Sequence, residues 1–207
     1  RHLTSMLTCS LEAASLGNLT VGPFNCITDN HFMTNIPVFE SPRLLLRAFK
    51  PDDFEPMVDF YASEVSRPYG GPCSREEAWR KFAVYSGHWV LRGYGPWALE
   101  AKDTGMFVGL CGLWFPEGFP EPEISWALVP GQHGKGYATE AARRALQAAY
   151  EHFGWRTAVS VIATDNAASH AVAQRLGAKP ESRIAFRGAQ ADIYRHLSLD
   201  ALLKAVN

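Results

Sequence analysis

Cysteine is scarce in this chain. Its 207 residues hold four, Cys9, Cys26, Cys73 and Cys111, far apart and with no CxxC pair or Cys/His cluster. That gives little support to a disulfide framework or a zinc site, and reduced thiols in a cytoplasmic setting are the default expectation. No apolar run reaches the roughly 20 residues a membrane helix needs. The opening RHLTSMLTCSLEAAS is broken by polar residues and Glu12, which makes it a poor signal peptide. Neither sign of charge dominates, with 20 Lys+Arg against 21 Asp+Glu, so nothing overall suggests a nucleic-acid binder or a disordered chain. No internal repeat is present. The length suits one α/β domain with a full core and is short for two.

What is there is unevenly spread. Residues 37–131 carry 9 basic and 13 acidic side chains, and residues 132–207 carry 10 basic and 6 acidic. The back part is therefore expected to favour an anionic ligand and the front part a cationic one, although drift in surface charge accounts for the asymmetry equally well. Residues 1–36 have no Lys or Arg after Arg1 and no sustained period. They read as an upstream or added extension, the natural start lying near Met33, with one domain over 37–207; an arm packed on the body is the alternative.

The periodicity predicts an α+β chain with a mixed sheet. Arg43–Phe49 reads as a short apolar strand. Pro51-Asp52-Asp53 opens a helix bearing Phe54, Met57, Val58 and Tyr61, and RPYGGPC then rules out regular structure. Ser74 and Glu77 form a capping box for a second helix through Trp79, Phe82, Ala83 and Trp89. Strands follow at Pro96–Lys102, Met106–Phe115 and Glu123–Val129. A helical stripe runs from Ala138 to Phe153 and ends at Gly154. A buried strand at Thr157–Thr164, a helix from Ala167 to Leu176 stopped by Gly177, and strands near 181–187 and 190–198 complete the order.

Residues 130–139, PGQHGKGYAT, join a strand to a helix through three glycines. A P-loop requires Lys where Tyr137 stands, and the dinucleotide fingerprint requires Gly where Thr139 stands. The physical logic of an anion site survives both failures. Free N–H groups and the dipole at a helix start suit a pyrophosphate, and Gly134 and Gly136 let the backbone approach closely. A helix entry that merely needs glycine is the plainer alternative.

His133-Gly134-Lys135-Gly136-Tyr137-Ala138 resembles the acetyl-CoA signature Q/R-x-x-G-x-G/A of the GNAT N-acetyltransferases, with His133 departing from the usual first letter. Ser41–Arg47, Ile124–Pro130, Gly136–Ala141, Asn166–Ser169 and Leu176-Gly177-Ala178 extend the likeness over most of 38–200, nearest to the branch that acetylates the N-terminal amines of ribosomal proteins. The resemblance implies a twisted, mostly antiparallel mixed sheet of about seven strands flanked by helices and splayed between strands four and five. It implies acetyl-CoA as co-substrate, no metal, and an amine acceptor, either a protein N-terminus or a small amine. No nucleic-acid or membrane partner is expected, and the chain is expected to be a monomer or homodimer. The pyrophosphate is expected on the amides of His133, Gly134, Lys135, Gly136, Tyr137, Ala138 and Thr139, and the pantetheine along Trp126, Leu128 and Val129, with Asn166 and Ser169 on the other wall. A CoA-binding module without catalysis is the alternative function.

Acetyl transfer needs a neutral amine, a donor for the oxyanion and a proton or hydrogen bond for the departing thiolate. Glu123, at the start of its strand, is the candidate base, acting through a water; a solvated strand-end glutamate is the other reading, and Glu100 is a weaker candidate. An N–H of Leu128 or Val129 is the expected oxyanion donor. The acid position of many family members, a tyrosine seven residues after the helix-opening asparagine, is Ala173 here. Ser169 is left as the group that would hydrogen-bond the CoA sulfur. Trp79, Tyr85, Trp89, Trp97, Trp114 and Tyr194 are candidates for an acceptor cleft, with core packing the plainer role for aromatics at such spacing.

Overall fold

The computed structural model describes residues 35–204. The expected extension over 1–36 lies outside the described residues apart from its last two, Asn35 and Ile36, and so do Cys9 and Cys26.

Eight strands form one open sheet: β1 (Phe39–Glu40), β2 (Leu44–Arg47), β3 (Pro96–Ala101), β4 (Phe107–Trp114), β5 (Glu123–Leu128), β6 (Val159–Ala163), β7 (Lys179–Phe186) and β8 (Ala189–Arg195). Their spatial order is β1-β2-β3-β4-β5-β6-β8-β7. Every neighbouring pair is antiparallel except β5 and β6, which are parallel and share only the register pair Glu123↔Val159. The sheet therefore splays there, at the two strands expected to part. The strand count is one more than expected because Phe39–Glu40, paired with Leu46 and Leu45, is too short to show a period.

Five α-helices cover the sheet: α1 (Phe54–Ala62), α2 (Arg75–Arg92), α3 (Tyr137–Glu151), α4 (Ala167–Arg175) and α5 (Leu199–Lys204). Local chemistry sets several of their ends. Glu77 N–H donates to the Ser74 hydroxyl while Ser74 N–H donates to the Glu77 carboxylate at 2.9 Å, the reciprocal cap that starts α2. Gly154 at φ +67° ends α3, letting Trp155 N–H return to Ala149 O at 2.8 Å. Besides β1, two features lie beyond the reading of local pattern: α5, and a 3₁₀ helix over Glu64–Tyr69 that runs into the supposed break at Arg67. Pro68 fits inside it because a short i→i+3 ladder asks for few N–H donors.

Alternation along β5 divides the core in two. Ile124, Trp126 and Leu128 face α3, where Trp89, Trp97 and Leu146 also pack. Ala127 and Val129 face α1 and α2, with Met57, Phe60, Tyr61 and Phe82. Fully burying one such side chain contributes about 1.5–3 kcal/mol. Trp79 corrects the sequence reading: it is 55% exposed, edge-on to Phe54 rather than in the core.

Candidate active site

The glycine loop is built to leave donors free. Gln132 N–H turns back to Val129 O, and the next main-chain bond is Glu140 N–H to Gly136 O. Among the described residues, the N–H groups of residues 133 to 139 meet no protein acceptor. Gly136, at φ +82°, is the N-cap of α3, so its glycine serves backbone conformation as well as close approach. Glu140, in the first turn of α3, ties the loop to the sheet. It accepts from Ser41 Oγ at 2.7 Å, from Arg43 N at 2.8 Å and from Arg43 Nε at 2.7 Å. Arg43 also donates to Lys135 O and lies over the Tyr137 ring. Burial pushes the Glu140 carboxyl up, but these bonds outweigh it and hold the group below its ordinary value.

The loop bounds a cavity of about 1030 Å³ lined also by β5 and the start of α4. His133, Gly134, Gly136, Ala138, Thr139, Trp126, Leu128, Asn166 and Ser169 all border it. Three expected members do not. Lys135 reaches Gln132 Oε1 at 2.8 Å, Tyr137 is buried beneath Arg43, and Val129 points into the α1–α2 core. Val129 N–H is also consumed by Val108 O, at 3.1 Å. Alternation then aims Leu128 N–H at the splayed side, the side on which Trp126 O accepts from Tyr69 Oη at 2.6 Å. Three arginines not singled out in the sequence, Arg143, Arg144 and Arg175, line the same cavity.

A second cavity, of about 680 Å³, opens on the other side of the splay, and Glu123 lies in its wall. Glu123 is 5% exposed, so it is no solvated strand end. Val161 N–H of β6 donates to it at 3.0 Å. Burial pushes its carboxyl up to about 8, against the opposing pull of that hydrogen bond and of the Arg187 charge. Glu100, by contrast, is bound by Arg47 and Lys50 and borders neither cavity.

The two cavities meet at Pro68, Tyr69, Trp126, Asn166 and Ser169. The match to the acetyltransferase (GNAT) domain model covers residues 43–179, which hold most of the residues lining both cavities. The chain belongs to the GNAT family of N-acetyltransferases. This GNAT enzyme is 25% identical over 149 residues to the uncharacterized N-acetyltransferase YoaA of Bacillus subtilis (strain 168), covering 70% of this chain and 84% of YoaA. It is 32% identical to the acetyltransferase of Agrobacterium tumefaciens str. C58, whose crystal structure it matches with a TM-score of 0.73 over 79% of this chain and 95% of that one. A ribosomal L7/L12 α-N-protein acetyltransferase, solved in complex with coenzyme A, shares the fold at a TM-score of 0.61 and 20% identity, over 78% of this chain and 98% of that one. Family membership carries the general activity, acetyl transfer from acetyl-CoA.

In this GNAT enzyme Ala173 is fully buried in the core and faces neither cavity. A different tyrosine stands at the junction. Tyr69 rides in on the 3₁₀ segment, and the Ser169 hydroxyl adjoins it. Burial pushes its phenol well above the ordinary value, so it keeps its proton. Only Pro68 and the flanking glycines marked this segment, and they signal a turn without saying where it lands. Asn166 spends its Oδ1 on capping α4, accepting from Ser169 N at 3.1 Å. Among the aromatic candidates, Tyr85 and Trp114 border the second cavity, while Trp89, Trp97 and Tyr194 are core. His88 is likewise structural, held between Tyr94 O and Phe115 N.

The expected cationic ligand of the front half is not supported by this geometry. Eight of its thirteen acids lie in ion pairs, among them Asp53 and Glu100 with Arg47, Glu55 with Arg75, Glu64 with Arg67, and Glu76 with Arg80, while Asp52, Asp59, Glu77, Asp103 and Glu123 do not.

Proposed function

We propose that the chain moves acetyl from acetyl-CoA directly to a primary amine in a ternary complex, with CoA along the larger cavity and the amine in the smaller. The observation that carries this reading is the shared wall of Tyr69, Trp126, Asn166 and Ser169, where a thioester from one side meets an amine from the other. The N–H groups of 133–139 at the start of α3 would take the pyrophosphate. Arg143 and Arg175 would take the 3′-phosphate, and Trp126 and Leu128 would face the pantetheine. The acceptor is a protein N-terminal α-amine or a small amine.

Glu123 is proposed as the base, acting through a water. An α-amine titrates near 7.7–8.0, close to the value of about 8 to which burial brings Glu123, so proton transfer between them is nearly balanced. As the new C–N bond forms, the oxyanion is held by Leu128 N–H, since Val129 N–H is already bonded. The C–S bond then breaks, the nitrogen proton passes toward Glu123, the Ser169 hydroxyl hydrogen-bonds the departing thiolate, and the Tyr69 hydroxyl, which donates to Trp126 O at 2.6 Å before reaction, turns to the sulfur as its charge develops.

Free-thiol release from acetyl-CoA across an amine panel tests the activity. Turnover of at least one amine is expected. Tight CoA binding with no thiol release from any amine would favour the non-catalytic module instead. Tyr69→Phe is expected to lower kcat about 10²-fold, the low end for a lost proton donor, with KM for acetyl-CoA nearly unchanged; a wild-type kcat would remove Tyr69 from the mechanism. Glu140→Ala is expected to act on the other parameter. Freeing Arg43 and Ser41 loosens the loop, and the loss of one charge-assisted bond's worth of order raises KM for acetyl-CoA about tenfold. An unchanged KM in a folded variant would show that the tie does not shape the loop.

A further inference from the structure

The second cavity has a charge pattern that the transfer chemistry does not require. Four cations border it: Arg67, Arg80, Lys81 and Arg187. Two acids share the wall, the buried Glu123 and the exposed Asp165. Arg67 and Arg80 are paired, with Glu64 and Glu76. Among the described residues, Lys81 and Arg187 have no carboxylate within salt-bridge distance. Both are nevertheless held in place by aromatic rings. Lys81 lies over the Tyr61 ring at 5.3 Å and donates to Tyr69 O at 3.3 Å. The Arg187 guanidinium lies over Phe119 at 4.7 Å and Phe186 at 5.2 Å.

Arg187 also occupies an unusual backbone position. It begins the turn between β7 and β8 and, among the described residues, is the one non-glycine with positive φ, at +52°. An L-residue is disfavoured there because its Cβ crowds the following carbonyl oxygen. A flexible, charged side chain is thus kept on an aromatic platform at the mouth of the cavity.

We infer that the amine acceptor carries a carboxylate close to its amine, and that Arg187, assisted by Lys81, binds it. The inference rests on the reading of this cavity as the acceptor site. A guanidinium presents paired N–H donors that match a carboxylate, and the aromatic walls would hold the carbon skeleton between the two charged ends. A polyamine is disfavoured, because each additional ammonium would enter a rim where Lys81 and Arg187 are both unpaired and, apart from the base Glu123, only the exposed Asp165 offers an opposite charge. The same chemistry has two sources, an acidic residue next to a protein N-terminus or a free amino acid.

The experiment compares kcat/KM on C-terminally amidated peptides that differ only at the second residue, Glu, Gln or Lys, together with free amino acids and spermidine. The wild type is expected to prefer the Glu peptide over the Lys peptide about tenfold or more, in line with the coupling of one close charge pair. Arg187→Gln is expected to abolish most of that preference, read as the ratio of the Glu to the Lys peptide, because loss of the Arg187 charge near Glu123 shifts the rate on every peptide alike. Arg187→Lys should restore part of it, and Arg187→Glu should invert it. Turnover confined to peptides would assign the carboxylate to a protein N-terminus, and turnover confined to amino acids would assign it to a small molecule; either supports the inference. Measurable but equal rates on all three peptides, preference for spermidine, or an unchanged ratio in Arg187→Glu would overturn it while leaving acetyl transfer standing. Thiol release from no amine at all would overturn both.

Discussion

Glu123→Gln is expected to lower kcat by about 10²–10⁴-fold, the range for loss of a general base, while raising the melting temperature at alkaline pH. The two effects have one cause. Glu123 sits beneath the β5–β6 splay, and burial holds its carboxyl near 8 in the folded chain. In the unfolded chain it titrates near 4.5. Between those values the folded state keeps a proton that the unfolded state has released, so this group's contribution to stability falls as pH rises through the window. The penalty is complete above about pH 8 and on the order of a few kcal/mol. Glutamine carries no charge, and its carbonyl still accepts from Val161 N–H, so the variant escapes the penalty. Melting curves of both proteins from pH 5 to 9 should therefore diverge in the variant's favour as pH rises. The difference curve cancels other titrations, such as that of buried His196, whose imidazole is pushed down to about 4. Wild-type kcat/KM should rise with pH through about 8, as both Glu123 and the amine lose their protons. Full activity in the variant would exclude Glu123 as the base, and parallel melting curves would contradict its buried, protonated state.

Arg47→Ala is expected to destabilise the fold by about 3–5 kcal/mol, the usual effect of stranding a buried charge. Arg47 is 6% exposed and Asp53 3%. Two parallel bonds, of 2.7 and 2.9 Å, join its guanidinium to Asp53, and a third, of 2.6 Å, reaches Glu100. Asp53 also accepts from Lys50 N–H at 2.8 Å, which fixes the chain as it enters α1. Removing the guanidinium leaves Asp53 unpaired in the interior and loosens the helix that carries Tyr61 to the second cavity. Arg47→Met combined with Asp53→Leu should recover much of the loss, because apolar replacement of both partners removes the stranded charge. Urea unfolding of the single and double variants measures this. A single variant within about 1 kcal/mol of wild type would mean that the fork contributes no more than a surface pair.

Much of the architecture was legible from local pattern. The Ser74–Glu77 cap, the Gly154 stop and the alternation of Glu123–Leu128 depend on residues a few positions apart, and the short spacing that encodes them is visible in one dimension. The loop at 133–139 was legible for the same reason, since a run of free N–H groups at a helix start is a local property.

The roles of individual charges were not legible in that way. Glu123 stands in a PEPE run that reads as a solvated strand end, yet β6 and the far side of the splay bury it. Several acids of the front half looked free to attract a cation until the fold paired them with Arg47, Arg67, Arg75 and Arg80. Tyr69 lies in a segment with no period, and its hydroxyl reaches the carbonyl of Trp126, 57 residues away. Arg187 shares the second cavity with Lys81, whose partner it is in neither motif nor strand. The sequence by itself determined the family, the order of elements and the loop expected to face the donor, because periodicity, caps and glycine positions are short-range. Only the tertiary structure decided which carboxylate is buried, which tyrosine reaches the junction and which cations stay unpaired. Desolvation and ion pairing depend on what folding brings alongside each group, and those neighbours come from distant parts of the chain.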